Sequence, residues 1–242
     1  VSLRIERGTI TAIAGLSASG KTTLLGVLGM LWAEDNIPPG SAIYCDGDER
    51  VDMAHLGRNQ RAALRRRHFG FVLQTAFLLP HFSCLDNLAM PLALQGAPIH
   101  DCRQAAKALL DDVGLGQLAT KPARQTSGGE RQRLAVLRAL IHGPRVVFAD
   151  EPLNNLDFLH SKQIVDLLWR WKGEPAFLRG ESGDRTLVLV SHVLDEEVFK
   201  SLDQIYVVAD GRIVENRPWT PAEFPDGAAG LRRLMFDTRP RR

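Results

Sequence analysis

Gly15, Gly20, Lys21 and Thr22 are the first residues whose types and spacing suggest chemistry. The stretch Gly15-Leu16-Ser17-Ala18-Ser19-Gly20-Lys21-Thr22, with Thr23 behind it, fits G-x-x-x-x-G-K-[ST], a phosphate-binding loop. The pattern works because backbone N–H groups of the loop and of the following helix N-terminus point at phosphate oxygens. Lys21 would reach the terminal phosphates, and the Thr22 hydroxyl would hold Mg²⁺. The motif needs a strand before it and a helix after it. Residues 10–14 form an apolar run that reads as a buried strand, and residues 23–28 continue at helical spacing. The expected ligand is a nucleoside triphosphate.

A second candidate lies far along the chain. Val146-Val147-Phe148-Ala149 reads as an apolar strand that delivers Asp150 and Glu151 at its C-terminal edge. In a phosphate-loop fold that edge holds the nucleotide. Asp150 suits Mg²⁺, a hard cation that takes oxygen ligands and keeps several waters. Glu151 suits a general base that polarises the attacking water.

Composition narrows the partners. The chain has 242 residues, 45% hydrophobic and 24% charged, which suits one large domain or two intimate subdomains. Thirty basic against 28 acidic side chains leave a net charge of +2, with no electrostatic footprint for nucleic acid. Arg65-Arg66-Arg67 reads as a solvated helix face. Cys45, Cys84 and Cys102 lack metal-ligand spacing and read as reduced thiols of a cytosolic protein. No apolar run reaches the ~18 residues of a membrane span, and no signal-peptide pattern opens the chain. The chain begins at Val1, which reads as a piece cut from something longer or as a valine-type start codon.

The elements that must position these residues follow from local pattern. Residues 1–6 alternate like a strand that runs into a turn at Gly8. Pro38-Pro39-Gly40 marks a turn, residues 42–45 a short strand before Asp46-Gly47, and residues 58–67 a surface helix. A strand over 68–73 ends at Gln74. Ser83-x-x-Asp86 predicts a capping box before a helix with Leu85, Leu88, Ala89 and Leu92. A second helix is predicted from about 101 to 113, stopped at Gly114, and a third opens at Gly128-Gly129 with Leu134, Leu137, Leu140 and Ile141 on one face. Strands return at 186–190, and 205–208 with 212–214 form a hairpin around Asp210-Gly211. The result is an α/β core interrupted by a helical insertion. Residues 173–184 read as a surface loop, and the tail beyond Arg217 shows no strong pattern.

Gln125-Thr126-Ser127-Gly128-Gly129-Glu130-Arg131-Gln132-Arg133, together with Asp150-Glu151-Pro152, closely resembles the signature of ATP-binding cassette ATPases. Gln74 resembles that family's Q-loop glutamine, Asn155-Leu156-Asp157 its D-loop, and Ser191-His192 its switch histidine. The resemblance spans residues 3–214 and rests on six ordered motifs. It implies a P-loop NTPase core with an antiparallel β subdomain and an inserted α-helical subdomain. The core would cover about 1–76 and 141–216, the helical subdomain about 77–140 and the tail 217–242.

The resemblance also implies the site. ATP would be held by Gly15, Leu16, Ser17, Ala18, Ser19, Gly20, Lys21, Thr22 and Thr23. From a second chain, Ser127, Gly128, Gly129 and Glu130 would meet it, since their helix N-terminus offers free N–H groups to an anion. Two chains, or this chain and a paralogous ATPase, would thus sandwich two ATP molecules head to tail. Thr22, Gln74 and Asp150 would hold Mg²⁺, and Glu151, His192 and Lys21 would carry hydrolysis. The partner would be a membrane-spanning permease, served from the cytoplasmic face of the inner membrane as a peripheral subunit, with no nucleic acid involved. The surface around Phe77 to Pro91, with apolar Phe77, Leu78, Leu79 and Phe82, is where the membrane partner is expected to dock.

Phe71-Val72-Leu73-Gln74, Leu78-Leu79-Pro80, Leu85-Asp86-Asn87-Leu88 and Pro91-Leu92 resemble the lipoprotein-releasing, macrolide-exporting and cell-division branch. An export or lipoprotein-release role is the first reading, and a regulatory cell-division type the alternative. Some residues depart from the family pattern. Thr126 stands where leucine is usual, and Asn154 where a small residue is common. The loop at 173–184 looks long for this branch. The aromatic ring that normally stacks on adenine should lie upstream of Val1, since nothing before Gly15 is aromatic. A kinase or GTPase reading leaves Ser127–Glu130 and His192 unexplained. Non-transport cassettes carry coiled coils or a second cassette, neither of which this chain shows. A degenerate scaffold conflicts with intact Lys21, Asp150, Glu151 and His192.

Overall fold

The strand Ile10–Ala14 (β1) is buried along its whole length, which is why it reads as an unbroken apolar run. It sits inside a six-stranded sheet of the computed structural model, which describes residues 2–31, 40, 42–46, 49–174, 177, 184–192 and 194–238. The other strands are Phe69–Val72 (β4), Val146–Asp150 (β5), Thr186–Ser191 (β6), Gln204–Ala209 (β7) and Arg212–Ile213 (β8). Their order is β4-β5-β6-β1-β7-β8, parallel throughout except for the β7–β8 hairpin. Parallel strands all point the same way, so whatever follows each one arrives at a single edge. Register places Ala14 beside Ser191, and Asp150 beside Val190. Gly15, Gln74, Glu151 and His192 therefore share that edge. A separate antiparallel pair, Ile43–Asp46 (β2) and Glu49–Asp52 (β3), lies outside this sheet.

Alternation along the strands splits the core in two. Ile13, Phe148, Val188 and Val190 face one side, with Leu25 of the helix Lys21–Leu28 (α1). Ala12, Ala14, Val147, Leu187 and Leu189 face the other. There they meet the helices Gly128–Leu140 (α5) and Phe158–Gly173 (α6), which contribute Leu134, Leu137, Ile164 and Trp171. The helix Arg58–His68 (α2) leads into β4. The helices Cys84–Leu94 (α3) and Ile99–Asp112 (α4) pack on each other, and α5 touches both α3 and β4.

Several expectations are corrected. Residues 2–6 form no strand, because side chains of β7 take up the backbone groups a ladder would use. The Arg4 N–H donates to Tyr206 Oη (3.1 Å), Tyr206 Oη donates to Arg4 O (2.8 Å), and the Glu6 N–H donates to Gln204 Oε1 (3.2 Å). The predicted capping box at Ser83 is half of one. Ser83 Oγ accepts the Asp86 N–H at 3.0 Å, but Asp86 takes the Ser83 hydroxyl proton (2.7 Å) and Arg103 instead of the Ser83 N–H. Aspartate is one methylene shorter than the glutamate the reciprocal box uses. The α4 helix begins at Ile99, two residues before its predicted start.

The tail has structure too. Trp219 exchanges two backbone hydrogen bonds with Ile205 (2.7 and 2.8 Å), and Phe224 packs against Trp219 and Phe199. A final helix, Gly227–Asp237 (α8), buries Leu231 and Met235. It rests on β7 and on the short helix Glu196–Lys200 (α7), where Glu196 Oε1 accepts the Ala228 N–H at 2.9 Å. Pro38, Pro39, Gly47 and most of the 173–184 loop fall outside the described residues.

Candidate active site

The loop after β1 turns on two left-handed residues, Ala18 (φ 62°) and Gly20 (φ 99°), the second of which starts α1. Gly15 has no room for a side chain, since a Cβ there would lie 2.3 Å from Val208 O. The β7–β8 turn closes from the other side, with Gly211 donating its N–H to Ser19 O at 2.9 Å. Pattern reading treats Asp210-Gly211 only as a hairpin turn, yet it buttresses the phosphate loop.

Lys21 is 6% exposed, and its Nζ donates to Leu16 O at 2.8 Å. An ammonium has three protons, so two donors remain for an anion. Burial pushes the Lys21 pKa below its ordinary value, opposed by the charges of Glu151 and Asp150. Ser19 Oγ is buried beside Gly15 and has no hydrogen-bond partner among the described residues. Buried polar atoms ordinarily find partners, and a phosphate oxygen in this cradle would supply one. Loop, orphaned hydroxyl and spare ammonium protons fit a bound triphosphate.

Thr22, next in α1, donates its hydroxyl to Asp150 Oδ1 at 3.2 Å. Asp150 is 3% exposed, and desolvation raises its pKa against the Thr22 hydrogen bond, with Glu151's charge adding to the rise. A hard divalent cation suits this oxygen pair and would relieve the buried carboxylate. Gln74 reaches the same edge two residues past β4, where it is exposed and is not hydrogen-bonded to Thr22 or Asp150.

Glu151 continues the β5–β6 ladder by donating its N–H to Val190 O at 2.9 Å, then bends to φ 49°. The bend brings its carboxylate to His192, both oxygens lying 2.7 Å from Nδ1. Lys21, Thr22, Asp150, Glu151 and His192 thus assemble from the ends of β1, β5 and β6.

The predicted signature residues sit apart. Ser127 is the N-cap of α5, with a full capping box. Its Oγ accepts the Glu130 N–H (3.2 Å), and Glu130 Oε2 accepts the Ser127 N–H (2.7 Å). That backbone hydrogen bond holds the Glu130 pKa low. Among the described residues no hydrogen bond or ion pair joins Ser127, Gly128, Gly129 or Glu130 to the phosphate loop. Thr126, the departure from the usual leucine, is buried and donates its hydroxyl to Ala123 O at 2.7 Å. Arg131 binds Thr126 O.

Other ties were not legible in motif order. Gln132 Nε2 donates to Pro152 O (3.3 Å), and Arg138 reaches back from α5 to the carbonyls of Phe77 (2.8 Å) and Ala76 (3.1 Å). Phe77 and Phe82, expected at the surface, are 64% and 49% exposed. Buried Asn87 pins the loop between them, accepting the Leu79 N–H (2.8 Å) and donating to Leu79 O (3.1 Å).

The ABC transporter family model matches residues 1–154. The chain is 39% identical over 214 residues to the lipoprotein-releasing system ATP-binding protein LolD of Legionella pneumophila, covering 88% of this chain and 86% of that protein. It is likewise 39% identical over 218 residues to a probable export ATP-binding/permease protein MacB of Pseudomonas entomophila. That match covers 90% of this chain but only 30% of the relative's length. Among solved structures, the dimeric post-hydrolysis state of the ATP-binding cassette MJ0796 bound to ADP and Pi aligns at a TM-score of 0.72. The identity is 29%, over 90% of each chain. A second dimeric structure of MJ0796 aligns at 0.73 over 89% of this chain and 87% of that one. The chain belongs to the ABC transporter family and is one of its ATPase cassettes.

Proposed function

We propose that this chain hydrolyses ATP as one half of a head-to-tail pair and uses the cycle to drive a separate membrane-spanning permease of the export or lipoprotein-release type. The observation that carries the reading is the division of labour within one chain. Lys21, Thr22, Asp150, Glu151 and His192 gather at the sheet edge around buried Lys21 and Asp150, while among the described residues no hydrogen bond or ion pair ties the α5 N-terminus to that cluster. Two copies in opposite orientation bring each α5 N-terminus to the other's phosphate loop.

In that arrangement the loop from Gly15 to Thr23 wraps the phosphates, and Lys21 holds the terminal ones. Ser127 and the N–H groups of Gly128 and Gly129 from the partner approach the γ-phosphate from the opposite side. Glu151 accepts a proton from the attacking water as its oxygen bonds to the γ-phosphorus and the bond to ADP breaks. His192 orients the Glu151 carboxylate through its Nδ1 contact, so the base is aimed before the nucleotide arrives. Mg²⁺, when bound, would be held by Thr22 and Asp150 with Gln74 at the same edge, and would neutralise phosphate charge.

The helical subdomain of about 77–140 would turn against the core of about 1–76 and 141–216, with Gln74 at its border. The exposed Phe77–Phe82 loop beside it is the surface offered to the permease. No described helix is long and apolar enough to cross a membrane. In this reading the cassette works on its membrane partner as a peripheral subunit, at the cytoplasmic face of the inner membrane. Glu151→Gln tests the reading, because the amide cannot act as a base while the phosphate cradle stays intact. Sedimentation with ATP and Mg²⁺ should find this variant as an ATP-bound pair without turnover. A monomeric variant that still hydrolyses ATP overturns it.

A further inference from the structure

We propose that His160 is a positioning residue for turnover, locking the turn at Asp157 to the first turn of α5 so that both move as one body. The inference rests on the reading that this end of α5 meets nucleotide held by a second copy. Asp157 caps α6, accepting the His160 backbone N–H at one oxygen (2.9 Å), and its other oxygen lies 2.6 Å from His160 Nδ1. The cap uses the backbone, so the ring makes a separate contact. The ring's far edge lies on Gly129, where a Cβ would sit 2.0 Å from Cδ2 and 2.5 Å from Nε2 of His160. Gly128, one residue earlier, has open space at the same position. Only the second glycine is pressed against the imidazole.

Gln132 to Pro152 is a second tie between the same two segments (3.3 Å). The stretch they clamp runs on from Glu151, so the α5 N-terminus of each chain is braced against the exit of its own base. In a head-to-tail pair these two groups serve opposite sites, and His160 would therefore link one site to the other. Helix N-terminal donors act only where they are held in place, and displacements of about 1 Å cost rate, not ground-state binding.

Turnover and monomer ATP affinity would be measured for the unsubstituted chain, His160→Ala, His160→Asn, Gly129→Ala and the double variant His160→Ala with Gly129→Ala. His160→Ala should lower kcat by about tenfold to a hundredfold without changing monomer affinity, since the phosphate loop is untouched. His160→Asn, which can still donate to Asp157, should recover part of the loss. Gly129→Ala should also lower kcat, because its methyl displaces the ring. The double variant should then fall no further than Gly129→Ala alone. Losses that multiply in the double variant, or an unchanged kcat in His160→Ala, overturn the proposal. So does an unfolded His160→Ala by circular dichroism, which would make the ring a plain packing group. An unsubstituted chain without turnover overturns the functional reading itself.

Discussion

The phosphate loop and the α5 N-terminus, the two ends proposed to meet nucleotide, are built in opposite ways. At the sheet edge, groups from three strands converge. Lys21 and Asp150 are buried, and desolvation pulls the pKa of each toward neutrality, down for the lysine and up for the aspartate. At the α5 N-terminus, everything needed lies within four consecutive residues. Ser127 and Glu130 cap each other, partly open to solvent, with the Glu130 carboxylate held charged by a backbone N–H. The first end is a preorganised pocket, and the second is a compact donor group on a helix. Under the proposed function, the pocket holds the chain's own nucleotide and the helix end works at a site built by another chain.

That contrast is most exposed by Ser127→Arg. Turnover should fall by about a hundredfold or more, the scale for losing preorganised donors at a reacting centre, while monomer ATP affinity stays unchanged. Lys21→Ala should instead weaken monomer ATP binding by about tenfold or more, since a hydrogen bond to a charged group contributes about 1.5–3 kcal/mol. Equilibrium nucleotide titration of each variant separates the two. Mixing them is sharper still. One composite site then carries both lesions and the other neither, so recovered turnover supports sites shared between chains. Equal loss of affinity in both variants would erase the distinction between the two ends.

Packing provides smaller tests of the same difference. Gly15→Ala drives a methyl against Val208 O, 2.3 Å away, and into the β7 support behind the loop. Overpacking of this kind costs about 1–3 kcal/mol. At roughly 2–4 °C per kcal/mol for a chain this size, the thermal midpoint should drop by several degrees, with nucleotide affinity falling in parallel. Thr126→Val removes one hydroxyl hydrogen bond to Ala123 O, a carbonyl that the Thr126 N–H still reaches. The loss should be about 0.5–1.5 kcal/mol by denaturant unfolding, without a change in monomer ATP affinity. If Thr126→Val shifts monomer affinity as Gly15→Ala does, the two ends are coupled within one chain.

Much was readable from local pattern because the signals are local. The phosphate loop spans eight residues, β1 and β5 are contiguous apolar runs, and the α5 capping box closes across three positions. The misses have a common cause. The extended look of residues 2–6 follows from alternation, but whether they pair was decided by Tyr206 and Gln204, about 200 positions away. In the tail, Leu231 and Met235 make one buried stripe, which becomes informative only once β7 and α7 are there to receive it. Residues 158–173, left without an element by the pattern reading, are α6. That helix opens on exposed Phe158 and Leu159 before its buried stripe begins.

The sequence by itself determined which groups take part. Residue types at short fixed spacing dictate a phosphate loop, a strand ending in two carboxylates and a capped helix N-terminus, because loop geometry, strand periodicity and capping all act over a few residues. Only the tertiary structure decided which of these meet. Thr22 and Asp150 lie 128 positions apart, and Glu151 and His192 lie 41 apart. They are neighbours because β6 runs between β5 and β1 in a parallel sheet. The same holds for His160 on Gly129 and Gly211 against Ser19. Such contacts depend on strand order and helix docking, set by the burial of two apolar faces at once, which no local spacing encodes.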